Sequence, residues 1–189
     1  MAQHLRMAGR RRFANLSSAF NVKFPGATRS SPKFVPFVYM KIFETLAELT
    51  SRTGQAIAVT DWFTITQQHI DQFAEATGDH QWIHVDPERA KSGPFGTTIA
   101  HGYLTLSLLS GFFDRSIRIK DVRMAINYGL NKVRFMAPVP VDSKVRAQVK
   151  LLSATPIEGG MQVAWESTIE REGSEKPVCV AEQLARYYL

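Results

Sequence analysis

A single cysteine, Cys179, occurs in the 189 residues, so no disulfide can close within the chain. It sits in an alternating apolar stretch, the setting of a packed thiol and not of a nucleophile. No apolar run approaches the roughly 18 residues of a membrane span; the longest, around Ile99 to Phe113, is broken by His101 and Gly102. A soluble protein without a membrane partner is expected. Also missing are the Gly-x-Gly-x-x-Gly and P-loop patterns, which leaves nicotinamide and nucleotide triphosphate chemistry without a site. His80 and His84 lack third and fourth ligands at zinc-like spacing, and no cysteine pair compensates. Ser110 has no Gly-x-Ser-x-Gly elbow around it, which argues against a serine hydrolase. Neither a metal nor a cofactor is expected.

Acidic residues are absent from residues 1 to 39, which hold seven Lys/Arg; from Met40 onward 16 basic residues face all 17 acidic ones. The net charge of +6 therefore belongs to the extension, and the near-neutral remainder predicts no nucleic-acid partner. The Arg-rich, acid-free composition of residues 1–39 matches either a mis-assigned start, a disordered arm or a mitochondrial presequence. A cytoplasmic protein is expected unless the extension is a genuine transit peptide. Residues 40–189 are expected to form one domain.

Thr66 is placed to cap a helix whose apolar face is Ile70, Phe73 and Ala74, and Gly78 is placed to end it in a left-handed conformation. His69 falls on the polar face of that helix. Asp86-Pro87 opens a second, short helix that Ser92-Gly93-Pro94 ends. After a glycine- and threonine-containing loop, His101-Gly102 leads into a segment through Phe113 that is apolar around its circumference, the pattern of a buried helix. Residues 122–135, 144–153, 161–171 and 177–188 alternate and are rich in Val, Ile, Tyr and Phe, with turns at Pro138-Pro140, Thr155–Gly160 and Glu172–Pro177. The order predicts an α+β fold, a long antiparallel sheet wrapped around one apolar helix.

The stretch Gly78-Asp79-His80-Gln81-Trp82-Ile83-His84-Val85-Asp86-Pro87 places a carboxylate and an imidazole five residues apart, in a loop between two capped helices. Together they can hold and deprotonate a water and return a proton. The amides at Gly102, with the helix dipole behind them, can polarise a carbonyl.

That ordered set, with Asp79 and His84 before the His101-Gly102 helix and the strands, resembles the MaoC-like dehydratases and (R)-specific enoyl-CoA hydratases. Gln81-Trp82 stands where the commonest motif has Asn-Pro. The Gly-Asp-His-Gln-Trp-Ile-His form, with Asn127-Tyr128-Gly129 and Lys132-Val133-Arg134-Phe135 later, is most similar to the NodN-like branch. The resemblance implies a hotdog fold, a homodimer and an acyl-CoA thioester substrate. It further implies reversible hydration of trans-2-enoyl-CoA to (R)-3-hydroxyacyl-CoA in lipid metabolism, needing no cofactor beyond the thioester. It places the catalytic pair on Asp79 and His84, the oxyanion donor on the Gly102 amide and a nearby serine on Ser110; Gln81, Trp82 and His101 stand at the edge of the substrate site. Two alternatives remain open from sequence: a hotdog acyl-CoA thioesterase, and a non-catalytic acyl-thioester-binding subunit.

Overall fold

A computed structural model describes residues 40–189; the extension expected over residues 1–39 lies outside the described residues. The described chain begins with strand β1 (Lys41–Phe43), a helical turn α1 (Leu46–Thr50), and strands β2 (Ala56–Val59) and β3 (Phe63–Thr64). These pieces are too short for a hydrophobic period to reveal them in the sequence.

Helix α2 (Gln67–Thr77) starts and stops where its end residues direct. Thr66 Oγ1 accepts from the His69 amide at 3.3 Å, and Gly78 turns the chain at φ 77°. His69 departs from the polar-face expectation. Its Nδ1 accepts from the Thr66 amide at 3.2 Å, completing a capping box, and its half-buried ring lies 5.1 Å from that of Phe63. A single turn, α3 (Trp82–Val85), precedes α4 (Pro87–Lys91), where Asp86 Oδ1 accepts from the Arg89 amide at 3.0 Å. Removing this cap with Asp86→Ala is expected to lower stability by about 1 kcal/mol, read as a lower urea midpoint at unchanged m-value.

Helix α5 (Gly102–Ser116) runs directly into β4 (Ile117–Ile119), which pairs in parallel with β1. Four long strands complete the fold: β5 (Met124–Phe135), β6 (Lys144–Ile157), β7 (Gly160–Arg171) and β8 (Cys179–Tyr188). They form an antiparallel sheet in the order β2-β6-β7-β8-β5, with β3 also on β6. The second long strand extends past its expected end at residue 153, because Thr155 and Pro156 stay paired with Gln162 and Met161 and the turn shrinks to Glu158-Gly159. Proline is tolerated there: β2 pairs with β6 no further than Lys150, so that flank of the strand needs no donor.

Alternation decides which face meets α5. Along β8 every second residue from Cys179 to Tyr187 is buried. Val145, Val149 and Leu151 of β6 and Val163, Trp165 and Ile169 of β7 join them in a core with Leu104, Leu109 and Phe112 of α5. Phe113 meets the Trp165 ring edge-on at 5.1 Å. The helix is less enclosed than its composition implied. Tyr103 is 71% exposed, and Ser107 and Ser110 are open. That flank runs beside β5, the terminal strand of the sheet, whose Met124, Ile126, Tyr128, Leu130 and Phe135 are exposed. Apolar residues on this side of α5 thus face an open sheet edge instead of a closed core. Among the described residues no helix is long and apolar enough to cross a membrane.

Candidate active site

The left-handed Gly78 turns the chain out of α2 so that Asp79 follows at the surface, its carboxylate exposed. The Gln81 amide approaches Asp79 Oδ1 at 3.4 Å. His84 is not in a loop, as its flanking caps had suggested. It rides the single turn α3, too short to show a period, and that turn rotates its ring inward until only 7% of the residue is exposed.

The His84 ring has a fixed tautomer. Its Nδ1 lies 2.6 Å from the Ile99 carbonyl oxygen; a carbonyl only accepts, so Nδ1 carries the hydrogen and Nε2 keeps the lone pair. Burial pulls the His84 pKa below its ordinary 6.5, and the His101 imidazole adds to the lowering, while the Ile99 bond and the Asp79 charge act the other way. The ring is therefore neutral and basic at pH 7. Turnover that depends on this lone pair should hold through neutrality and fall as pH drops below 6.5 through the folded-state value, a single-proton acidic limb visible in kcat/KM. Stability follows the same sign. Between the two pKa values the unfolded chain binds more protons at this ring, so the His84 contribution is full above 6.5 and is lost as pH falls toward the lower folded value.

Groups distant in sequence hold the turn. Gln67 Nε2 donates to the His84 carbonyl at 2.8 Å, and Gln67 Oε1 accepts from Thr98 Oγ1 at 2.6 Å. The Ile99 amide donates to the Ile83 carbonyl at 3.0 Å. Sequence reasoning missed Gln67, Thr98 and Ile99, since a glutamine at a helix start and a backbone carbonyl carry no signature of a partner 15 or 17 residues away.

His101 caps the arrangement from the start of α5. It is 3% exposed, and its ring stacks on His84 with centroids 3.8 Å apart and planes inclined by 26°. Oxygen and nitrogen atoms of Asp79, His84 and His101 lie within 4.8 Å of one another. A water oxygen at about 2.8 Å from each of two such atoms bridges up to about 5.6 Å, so these atoms are close enough to share one water. It suits a metal ion poorly. An ion held by both imidazoles must lie near both ring planes at about 2.1 Å from each nitrogen, whereas stacked rings present planes that stay apart over that distance.

The first amides of α5 follow directly on His101. The Thr105 amide bonds back to the His101 carbonyl at 3.1 Å, and those of Gly102, Tyr103 and Leu104 have no acceptor within the helix. A Cβ at Gly102 would stand 3.0 Å from the Phe135 ring, so glycine keeps this approach narrow.

Other residues singled out from sequence fall elsewhere. Trp82 folds away over α4, with the Arg89 guanidinium 4.5 Å from its ring centre and Gly93 beneath its edge. Gln81 caps α3 through its backbone, its carbonyl accepting from the His84 amide. Ser110 lies eight residues along α5 from Gly102, roughly 12 Å by helical rise, where its Oγ accepts from Asn127 Nδ2 at 3.1 Å. His80 is exposed near Glu75, apart from His84. Cavities of about 430 and 340 Å³ flank the Ser110–Asn127 contact between α5 and β5.

Residues 48–171 match the MaoC like domain family. The chain is 54% identical over 149 residues to 3-hydroxyacyl-thioester dehydratase Z of Mycobacterium tuberculosis, covering 78% of this chain and 99% of that protein. It is 46% identical over 141 residues to nodulation protein N of Rhizobium leguminosarum bv. viciae, covering 72% of this chain and 87% of the relative. A monoamine oxidase regulatory protein from an Archaeoglobus species shares the fold, with a TM-score of 0.66, 26% identity, and coverage of 79% of this chain and 98% of its own. With about two thirds of its length matched to one family and a relative at 54% identity that it covers almost completely, the chain belongs to the MaoC-like dehydratases.

Proposed function

We propose that the protein reversibly hydrates trans-2-enoyl-CoA to (R)-3-hydroxyacyl-CoA, using Asp79 and His84 on a shared water. The observation that carries this is the His84 tautomer, with Nδ1–H committed to the Ile99 carbonyl and Nε2 left basic, on a ring that brings a nitrogen within 4.8 Å of an Asp79 carboxylate oxygen. In the hydration direction Nε2 takes a proton from the water as its oxygen bonds to C3. Asp79 orients that water through its second hydrogen and offsets the imidazolium charge. Electrons from the C2–C3 double bond move toward the thioester oxygen, where the free amides at the start of α5 stabilise the enolate. The imidazolium then returns its proton to C2, so one water is consumed and the base is restored. The dehydratase name of the 54% identical relative supports this reaction, read in the opposite direction; the (R) product and the CoA carrier rest on the family resemblance.

The open groove between α5 and β5 suits the acyl chain, and the apolar exposed edge of β5 suits a second copy of the chain pairing edge to edge. Incubating the protein with trans-2-enoyl-CoA and resolving the product on a chiral column tests the stereochemistry. The (R) alcohol is expected; the (S) alcohol would place the water on the other face and overturn the assignment.

A further inference from the structure

Among the described residues, the His101 side chain meets both members of the proposed pair, by a hydrogen bond to one and a ring stack on the other. Its Nε2 lies 2.9 Å from the Asp79 carbonyl oxygen, so Nε2 carries the hydrogen and ties the loop of Asp79 to the start of α5. Its ring stacks on His84 at 3.8 Å and is backed by Phe73 at 5.0 Å. The remaining nitrogen, Nδ1, is buried without a partner among the described residues. A phenylalanine would fill the same stack without burying an unpaired acceptor. What only histidine supplies here is the combination of a flat ring for His84 and an N–H for Asp79.

We infer that His101 is a positioning residue, which through one imidazole sets the separation between the Asp79 carboxylate and the His84 ring. The inference rests on the hydration mechanism above and adds a third residue to it. Without the Nε2–H bond, the exposed Asp79 loop loses its anchor to α5, and the carboxylate no longer shares a water with His84. Without the second imidazole, the His84 ring is freer to take a proton, since Asp79 and His101 are the titratable groups acting on it and His101 opposes its charge.

The two contacts separate by substitution. His101→Phe keeps the stack and removes the donor; His101→Gln keeps a donor near the position of Nε2 and removes the ring. Both are compared with the unaltered enzyme by kcat, KM and the pH profile on crotonyl-CoA, with thermal melting to confirm folding. His101→Phe should lose about tenfold to a hundredfold in kcat at nearly unchanged KM, the scale on which misplacing a reacting group by about 1 Å acts. His101→Gln should retain more activity, with its acidic limb moved to higher pH. If both variants melt cooperatively yet keep normal kcat and the unaltered acidic limb, His101 is merely structural and the inference fails. Should either prove unfolded, His101→Asn and a titration of the His84 ring by NMR in the intact enzyme provide the same comparison: an unmoved His84 pKa refutes the coupling. An unaltered enzyme that hydrates, alongside normal His101 variants, refutes this inference alone; an unaltered enzyme that does not hydrate refutes the mechanism beneath it.

Discussion

His84→Gln and Asp79→Asn are each expected to lower kcat for hydration by about two to four orders of magnitude, the range for removing a positioned general acid or base. The two changes differ in what they leave behind. Glutamine at 84 can still donate toward the Ile99 carbonyl, so the turn α3 should persist while the basic nitrogen is gone. Its acidic limb should vanish along with the rate. Asparagine at 79 keeps its backbone carbonyl for His101 and loses only the charge, so the limb should survive and move to lower pH, because the carboxylate is one of the groups raising the His84 pKa. Steady-state kinetics across pH 5 to 8, roughly the window that histidine titration spans, checks both. Near-normal rates in the two variants would remove the pair from the chemistry.

Gly102→Pro is the second large effect. The amide at 102 cannot be deleted by changing a side chain, but proline removes it outright. The first position of a helix tolerates that residue, since its N–H has no partner in the helix. His101 already has φ −58° and ψ 140°, the extended geometry that precedes proline. The helix should therefore form and the oxyanion donor should be gone, at a cost of about 100- to 1,000-fold in kcat. Gly102→Ala is the control. It introduces the same Cβ against the Phe135 ring but keeps the N–H, so its loss measures the steric part alone. Equal rates for proline and alanine variants would show that the amide has no role in the transition state.

Legibility in the sequence followed the range of the interactions. Thr66, Gly78 and Asp86-Pro87 act on backbone within one turn of themselves, and each appears in the fold where its chemistry indicates. Alternation in β6 and β8 was equally plain, because burial falls on every second residue of β8 and of the first half of β6, whereas β5 has the alternating composition of a strand but buries none of its residues. The site was legible as a motif and not as a geometry. The spacing of Asp79 and His84 marks them as candidates, but the inward turn of His84 comes from Gln67, Thr98 and Ile99, through bonds any sequence could conceal. Trp82 shows the same limit: the resemblance puts it at the edge of the substrate site by its place in the motif, and only the fold reveals that its indole covers Gly93 and meets Arg89. For α5, composition indicated burial all round, but hydropathy does not distinguish a residue facing a core from one facing the open edge at β5.

The most direct test is absorbance of crotonyl-CoA at the enoyl-thioester band after adding the protein, with a thiol reagent in a parallel cuvette. Loss of the band without thiol, reversing when 3-hydroxybutyryl-CoA is supplied, is the predicted result. Release of free CoA thiol would establish a thioesterase instead, and an unchanged band with both short and long enoyl chains would leave a protein that binds acyl thioesters without hydrating them.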